Sequence, residues 1–149
     1  MLFRSSYDID GVLAEGPPPS EKKWGKMNGA ERHERKRFLV EWYRNAAPLL
    51  TPTEPYFFAV SARKFEPDVY AATKNWLDQR YSGRVVEIFL MEGSRSVVNA
   101  AKFKADILAR NGVQIHYEDN KKVLRLMKIL NPDVEYYFWE KGMIFPERF

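Results

Sequence analysis

Apolar residues fall along the chain in short bursts separated by charged stretches, and the spacing within each burst assigns its geometry. Leu2 to Ile9 is apolar-rich and ends in Asp10-Gly11, which predicts a first strand closing in a turn. Tyr56-Phe57-Phe58-Ala59-Val60 is short, apolar and aromatic, the mark of a buried second strand. Val85–Met91, Val113–Tyr117 and Val134–Trp139 predict three more. Helical spacing occupies the intervals. Glu66 to Tyr81 puts Val69, Tyr70, Thr73, Trp76 and Leu77 on one side. Val97 to Asn111 is closed by Gly112, and Lys121 to Leu130 is stopped by Asn131-Pro132.

From the second strand onward, strands and helices alternate. This predicts an α/β protein with a three-layer, Rossmann-like parallel sheet covered by helices on both faces. The segment from Ala14 to Pro55 is too long for a simple crossover. Its prolines, Pro17-Pro18-Pro19, Pro48, Pro52 and Pro55, exclude a central strand or an unbroken helix there. Ser20 to Gly29 reads as irregular. Glu31 to Ala47 has no breaker and predicts a helix with Phe38 and Trp42, and less regularly Leu39 and Tyr43, on its apolar edge. The expectation is one domain over residues 1–149, with 14–55 as a small insert between the first two strands. The terminal aromatics, Tyr136 to Trp139, Phe145 and Phe149, predict an edge strand with a tail packed over it. A dimer surface is the alternative, so monomer and homodimer both stay open.

Composition narrows the function. The 149 residues are 45% hydrophobic and 15% aromatic, enough for one sizeable core. The absence of cysteine excludes disulfides, thiolate metal sites and a cysteine nucleophile. No apolar run reaches the ~20 residues of a membrane span, and no secretory apolar region is visible, so a soluble, cytoplasmic protein without a membrane partner is expected. Net charge is +4, with a pI near 9.2. Between Glu21 and Arg44, eight Lys and Arg face four Glu, so this local excess equals that of the whole chain. A solvated helix face is one reading of the run around Arg35-Lys36-Arg37. Steering of an anionic substrate is the other.

Functional residues of open parallel sheets collect beyond the carboxyl ends of the strands. There the sequence places Asp8 and Asp10 after the first strand, Ser61-Ala62-Arg63 after the second, and Glu118-Asp119 after the fourth. Lys102 and Lys104 lie on the helix between strands three and four. Paired carboxylates, a hydroxyl and an ammonium on one edge suit phosphoryl transfer through a carboxylate. The repulsion between carboxylate and phosphate is removed by a divalent cation and a lysine. A second carboxyl two residues along can protonate a leaving alkoxide and then deprotonate water.

The order Asp8-Ile9-Asp10-Gly11-Val12-Leu13, then Phe58 to Arg63, then a lysine, then Tyr117-Glu118-Asp119-Asn120 resembles the haloacid dehalogenase superfamily, over roughly residues 2–120. The resemblance implies a magnesium-dependent phosphatase with Asp8 as nucleophile and Asp10 as general acid/base. Ser61, Ala62, Arg63 and Lys104 would contact the phosphate, with Lys102 competing for the place of Lys104. Mg2+ would be held by Asp8, Asp119 and the backbone carbonyl of Asp10, with Glu118 able to share or replace Asp119. The insert falls where helical caps occur in that superfamily, and its shortness implies a partial lid over an open site.

The substrate is then a phosphorylated small molecule or a nucleic-acid end, the latter as for a polynucleotide 3′-phosphatase-like enzyme. A non-catalytic basic binding protein on the same fold is the third reading, and retention of Asp8, Asp10, Ser61, Lys104 and Asp119 together opposes it. A phospho-acceptor signalling domain would end its third strand in Asp, where this chain has Leu90-Met91-Glu92-Gly93.

Overall fold

The computed structural model describes residues 3–149. The predicted alternation is present as β1 (Ser5–Tyr7), α1 (Gly29–Asn45), β2 (Phe57–Lys64), α2 (Pro67–Tyr81), β3 (Val85–Met91), α3 (Val97–Arg110), β4 (Ile115–Glu118), α4 (Lys121–Leu130), β5 (Glu135–Phe138) and β6 (Glu147–Arg148). The six strands form one sheet in the order β3-β2-β1-β4-β5-β6. The first five are parallel, and β6 runs antiparallel beside β5. Among the described residues, no helix is long and apolar enough to cross a membrane.

Side chains of β2 alternate between two cores, as a strand covered on both faces requires. Phe58 and Val60 join Leu108, Leu124, Met127 and Tyr136 beneath α3 and α4. Phe57 and Ala59 join Tyr7, Ile9, Trp76, Leu77 and Tyr81 on the other face. Gly112 has φ +60°, the left-handed residue expected just past α3.

Most other element ends shift by one or two residues, and four departures from the sequence reading have a clear physical reason. The first strand is shorter than 2–9, because the chain coils at once after Tyr7: Val12 and Ala14 both donate their N–H groups to the Ile9 carbonyl; Leu2 lies outside the described residues. The second strand continues past Val60 to Lys64, since pairing with β3 resumes at Lys64–Met91 after an irregularity. Helix α1 begins before Glu31 because Asn28 caps it: the Asn28 side chain accepts from Glu31 N–H, and the Glu31 carboxylate accepts from Asn28 N–H. At the end of the chain, β6 rather than β5 forms the edge. Phe149 packs against the core, but Phe145 is 76% exposed and covers nothing.

The segment between β1 and β2 is tied at its stem. Glu15 N–H donates to the Ala47 carbonyl, Leu49 N–H to Leu13, and Leu50 N–H to Val12. Trp42 Nε1 donates to the Glu15 carbonyl at 2.9 Å, so this indole is used in packing. Within the predicted irregular stretch, Trp24–Lys26 forms one 3₁₀ turn. Helix α1 lies against α2 through Val40 and Tyr43, which meet Val69 and Ala72. Phe38, expected on the buried edge, is instead largely exposed beneath the Arg35 guanidinium, 5.0 Å from the ring centre.

Candidate functional site

The strand order reverses between β1 and β4, because the chain leaves β1 toward β2 and β3 and returns on its other side. Such a switch point opens a crevice beyond the carboxyl ends of the two strands. Asp8 follows β1, while Glu118 and Asp119 close β4, so topology alone delivers three carboxylates to one crevice. One oxygen from each lies within 4.8 Å of the others.

Helix α3 supplies the cation. Lys104 is buried, with Nζ 3.1 Å from Asp8 Oδ1 and 2.6 Å from Glu118 Oε1. Residues 102 and 104 are two apart, about 200° around a helix, and Lys102 accordingly faces solvent. Lys104 is therefore the lysine of the site. Behind Glu118 runs a buried polar chain that the sequence reading did not anticipate. His116 Nε2 lies 3.4 Å from Glu118 Oε1, and His116 Nδ1 lies 2.7 Å from Ser6 Oγ. Burial holds the imidazole pKa down, so neutral His116 is a hydrogen-bonding support for Glu118.

Burial also sets the protonation of the acids. Asp8 is pushed well up by desolvation and then by the Glu118 charge. Asp119 is pushed up to about 7 by the same two causes. Glu118 goes the other way: desolvation works against its charge, but Lys104 and His116 outweigh it and hold the carboxylate ionised. Desolvation likewise opposes the Lys104 ammonium, and Asp8 and Glu118 outweigh it and keep it protonated. With all three acids ionised against one ammonium, the cluster carries two uncompensated negative charges. One divalent cation would neutralise it, and the donors are hard carboxylate oxygens of the kind such ions select. The chemistry of the residues therefore fits a hard divalent metal at Asp8, Asp119 and Glu118. Gly11 leaves room for the Asp119 carboxylate: at φ +85°, a Cβ built there would lie 2.0 Å from Asp119 Oδ2.

Asp10 stands apart from this cluster. Its carboxylate accepts two hydrogen bonds from Arg63, Nε to Oδ2 at 3.0 Å and Nη2 to Oδ1 at 2.8 Å. Arg63 is only 2% exposed, donates through Nη1 to Thr73 Oγ1 at 2.9 Å, and lies 3.8 Å above the Tyr43 ring. From the sequence this guanidinium was either a phosphate or substrate contact or a surface ion-pair partner. In the fold three of its five N–H donors are committed to Asp10 and Thr73, so it positions Asp10. Tyr43 and Thr73 gave no sequence signal, because their role depends on α1 and α2 meeting over the end of β2.

Ser61 is buried, with Oγ accepting from Arg63 N–H at 3.1 Å, which leaves its own proton free to donate. Asp8, Asp10, Ser61, Ala62, Lys104 and Asp119 all line one cavity of about 300 Å³. A larger groove of about 1080 Å³ opens from it, walled by Pro17–Pro19, Trp24 and α1 on one side and by Lys64 and Arg95 on the other. Arg95 was missed by sequence reasoning, although its place in the loop after β3 is where the strand-end rule looks.

No protein-family profile matches the sequence, and no curated protein matches it. Among solved structures the chain is similar to that of a HAD-superfamily hydrolase, subfamily IA, variant 1, from Geobacter sulfurreducens PCA. The two share 9% sequence identity and a TM-score of 0.55, over 95% of this chain and 89% of that one. The chain thus has the haloacid dehalogenase-like fold.

Proposed function

We propose that the protein is a magnesium-dependent phosphomonoester hydrolase working through an aspartyl-phosphate on Asp8. The observation that carries the reading is the meeting of Asp8, Lys104, Glu118 and Asp119 at the switch point, with Asp10 two residues on and separately held. Asp8, Asp119 and Glu118 would hold the metal, which when bound offsets the repulsion between a carboxylate nucleophile and the phosphate.

The chain's own residues supply the rest. Ser61 Oγ–H donates to a phosphate oxygen, and the Lys104 ammonium balances the charge of the transferred group. An Asp8 carboxylate oxygen attacks phosphorus, forming the O–P bond as the bond to the leaving oxygen breaks. Asp10 gives its proton to that oxygen. Asp10 then takes a proton from water as the water oxygen attacks phosphorus, releasing inorganic phosphate and restoring Asp8. Each carboxylate oxygen has two lone-pair sites, so Asp10 can exchange a proton on the cavity side while Arg63 grips the other. Residues 14–55 act as a partial cap, consistent with a groove that stays open to a large substrate.

The test separates the two aspartates. Asp8→Asn is expected to abolish turnover and covalent labelling. With an aryl phosphate, whose leaving group needs little protonation, Asp10→Asn should still label Asp8 but hydrolyse the adduct slowly. Rapid-quench trapping and mass spectrometry locate the phosphate. Label on another residue, or full activity in Asp8→Asn, refutes the mechanism.

A further inference from the structure

Among the described residues, only Asp10, Asp119 and Arg95 line both the small cavity and the large groove. Any substrate with its phosphate beside Asp8 and its leaving group in the groove must pass between two carboxylates and one guanidinium. The other groove cations each have a protein group nearby. Lys36 pairs with Glu66 and Asp68, Lys64 approaches Glu66 at 3.9 Å, and Arg35 donates to the Pro18 carbonyl at 2.8 Å. Among the described residues Arg95 has no ion-pair or hydrogen-bond partner. Its backbone is nonetheless fixed on both sides: the Ser94 carbonyl accepts from Asn99 Nδ2 at 2.9 Å, and Ser96 Oγ caps α3 by accepting from Asn99 N–H at 3.0 Å.

The anion next to Asp8 already has Lys104, which is buried, whereas Arg95 is exposed at the mouth. We infer that Arg95 is a specificity-determining residue that reads a second phosphate on the leaving group, so that the substrates are phosphomonoesters of nucleotides or oligonucleotide ends rather than of uncharged alcohols. This inference rests on the hydrolase reading above. A guanidinium presents a rigid donor fork suited to phosphate. The groove's charged residues other than Asp10 and Asp119 are Arg35, Lys36, Lys64 and Arg95 against Glu66 alone, so away from those two its field favours an anionic leaving group. At about 1080 Å³ it lies just above the range for small-ligand sites, roughly 300–1,000 Å³. The proline run and the half-exposed Trp24 offer flat apolar walls for a nucleoside.

The experiment compares adenosine 3′,5′-bisphosphate and a single-stranded oligonucleotide bearing a 3′-phosphate with adenosine 3′-monophosphate. The readout is the ratio of kcat/KM between a doubly phosphorylated probe and the monophosphate. In the natural chain at least one probe should be preferred about 10- to 100-fold, the scale of a charge-assisted hydrogen bond. Which one leads identifies a free nucleotide or a polynucleotide end as the source. Arg95→Ala should bring the ratio close to one, and Arg95→Lys should keep part of it. A ratio near one in the natural chain, or one unmoved by Arg95→Ala, overturns the inference. Calorimetric binding of the same ligands to Asp8→Asn reads the site without turnover. A bisphosphate preference there that Arg95→Ala removes sustains the Arg95 assignment even where hydrolysis fails, whereas equal binding of mono- and bisphosphate overturns it.

Discussion

Gly11→Ala should disable the metal site without replacing any of its ligands. The backbone at Gly11 has φ +85°, which an L-residue adopts at a cost of about 1–2 kcal/mol. For a chain of this size that lowers Tm by roughly 3–8 °C. The steric effect comes on top. The new methyl would stand 2.0 Å from Asp119 Oδ2 and 2.6 Å from Asp119 Cγ, where ordinary contact begins near 3.4 Å. The carboxylate must therefore retreat by about 1.4 Å, whereas metal–ligand distances tolerate about 0.2 Å. Magnesium affinity should fall at least ~10-fold, as followed by calorimetry or by the rise in Tm on adding the ion. The control is the same substitution in an Asp119→Ala background, where no carboxylate remains to be displaced. There Gly11→Ala should lower Tm but leave the residual magnesium affinity unchanged. If the two substitutions are additive in metal affinity, or if Gly11→Ala binds magnesium like the natural chain, the link from Gly11 through Asp119 to the metal is wrong.

Three other outcomes follow from the same geometry. Lys104→Ala leaves Asp8 and Glu118 buried without their cation and should lower stability by about 3–5 kcal/mol in urea titrations and turnover at least ~10²-fold, while Lys102→Ala should change stability by less than ~0.5 kcal/mol. Asp119 has a folded-state pKa near 7, above its ordinary value, so the metal-free fold holds a proton that the unfolded chain has released. Its contribution is full at low pH and is lost as pH rises through about 4 to 7; Tm in EDTA should decline across that window, and Asp119→Asn should flatten the decline. Arg63→Lys cannot reproduce the two-point grip on Asp10, so kcat on an alkyl phosphate should fall more than kcat on an aryl phosphate, whose leaving group scarcely needs the proton; equal losses on both would show that Arg63 does not act through Asp10.

What could be read from the sequence divides along a physical line. Strand and helix positions were legible because burial on both faces of a parallel sheet writes unbroken apolar runs, and α3 and α4 carry their stop signals in Gly112 and Asn131-Pro132. The members of the acidic cluster were legible as well, since each lies within two residues of a strand end and the fold class alone states that such ends converge. Choosing between Lys104 and Lys102 needed the helix phase, because the two lie about 200° apart around the axis and only packing says which side faces the site. Arg63 was only partly legible, for a different reason. Its position after the second strand is correct, but its use depends on Thr73 and Tyr43, which belong to helices packed together only in the tertiary fold. Phe38 and Val40 show the same limit: α1 is so charged that the apolar residues outline no single stripe, and contact with α2 selected Val40 and Tyr43. The basic run of the insert illustrates it once more. By sequence the run Arg35-Lys36-Arg37 was the candidate for meeting an anion, yet folding supplies Arg35 and Lys36 with partners inside the protein and leaves Arg37 outside the groove lining. The groove guanidinium left without one among the described residues is Arg95, in the loop after β3. Charge density along a chain therefore locates basic segments. Whether a given cation is available to a ligand is settled by which carboxylates and carbonyls the fold brings to it, and that is where the two readings of this site part.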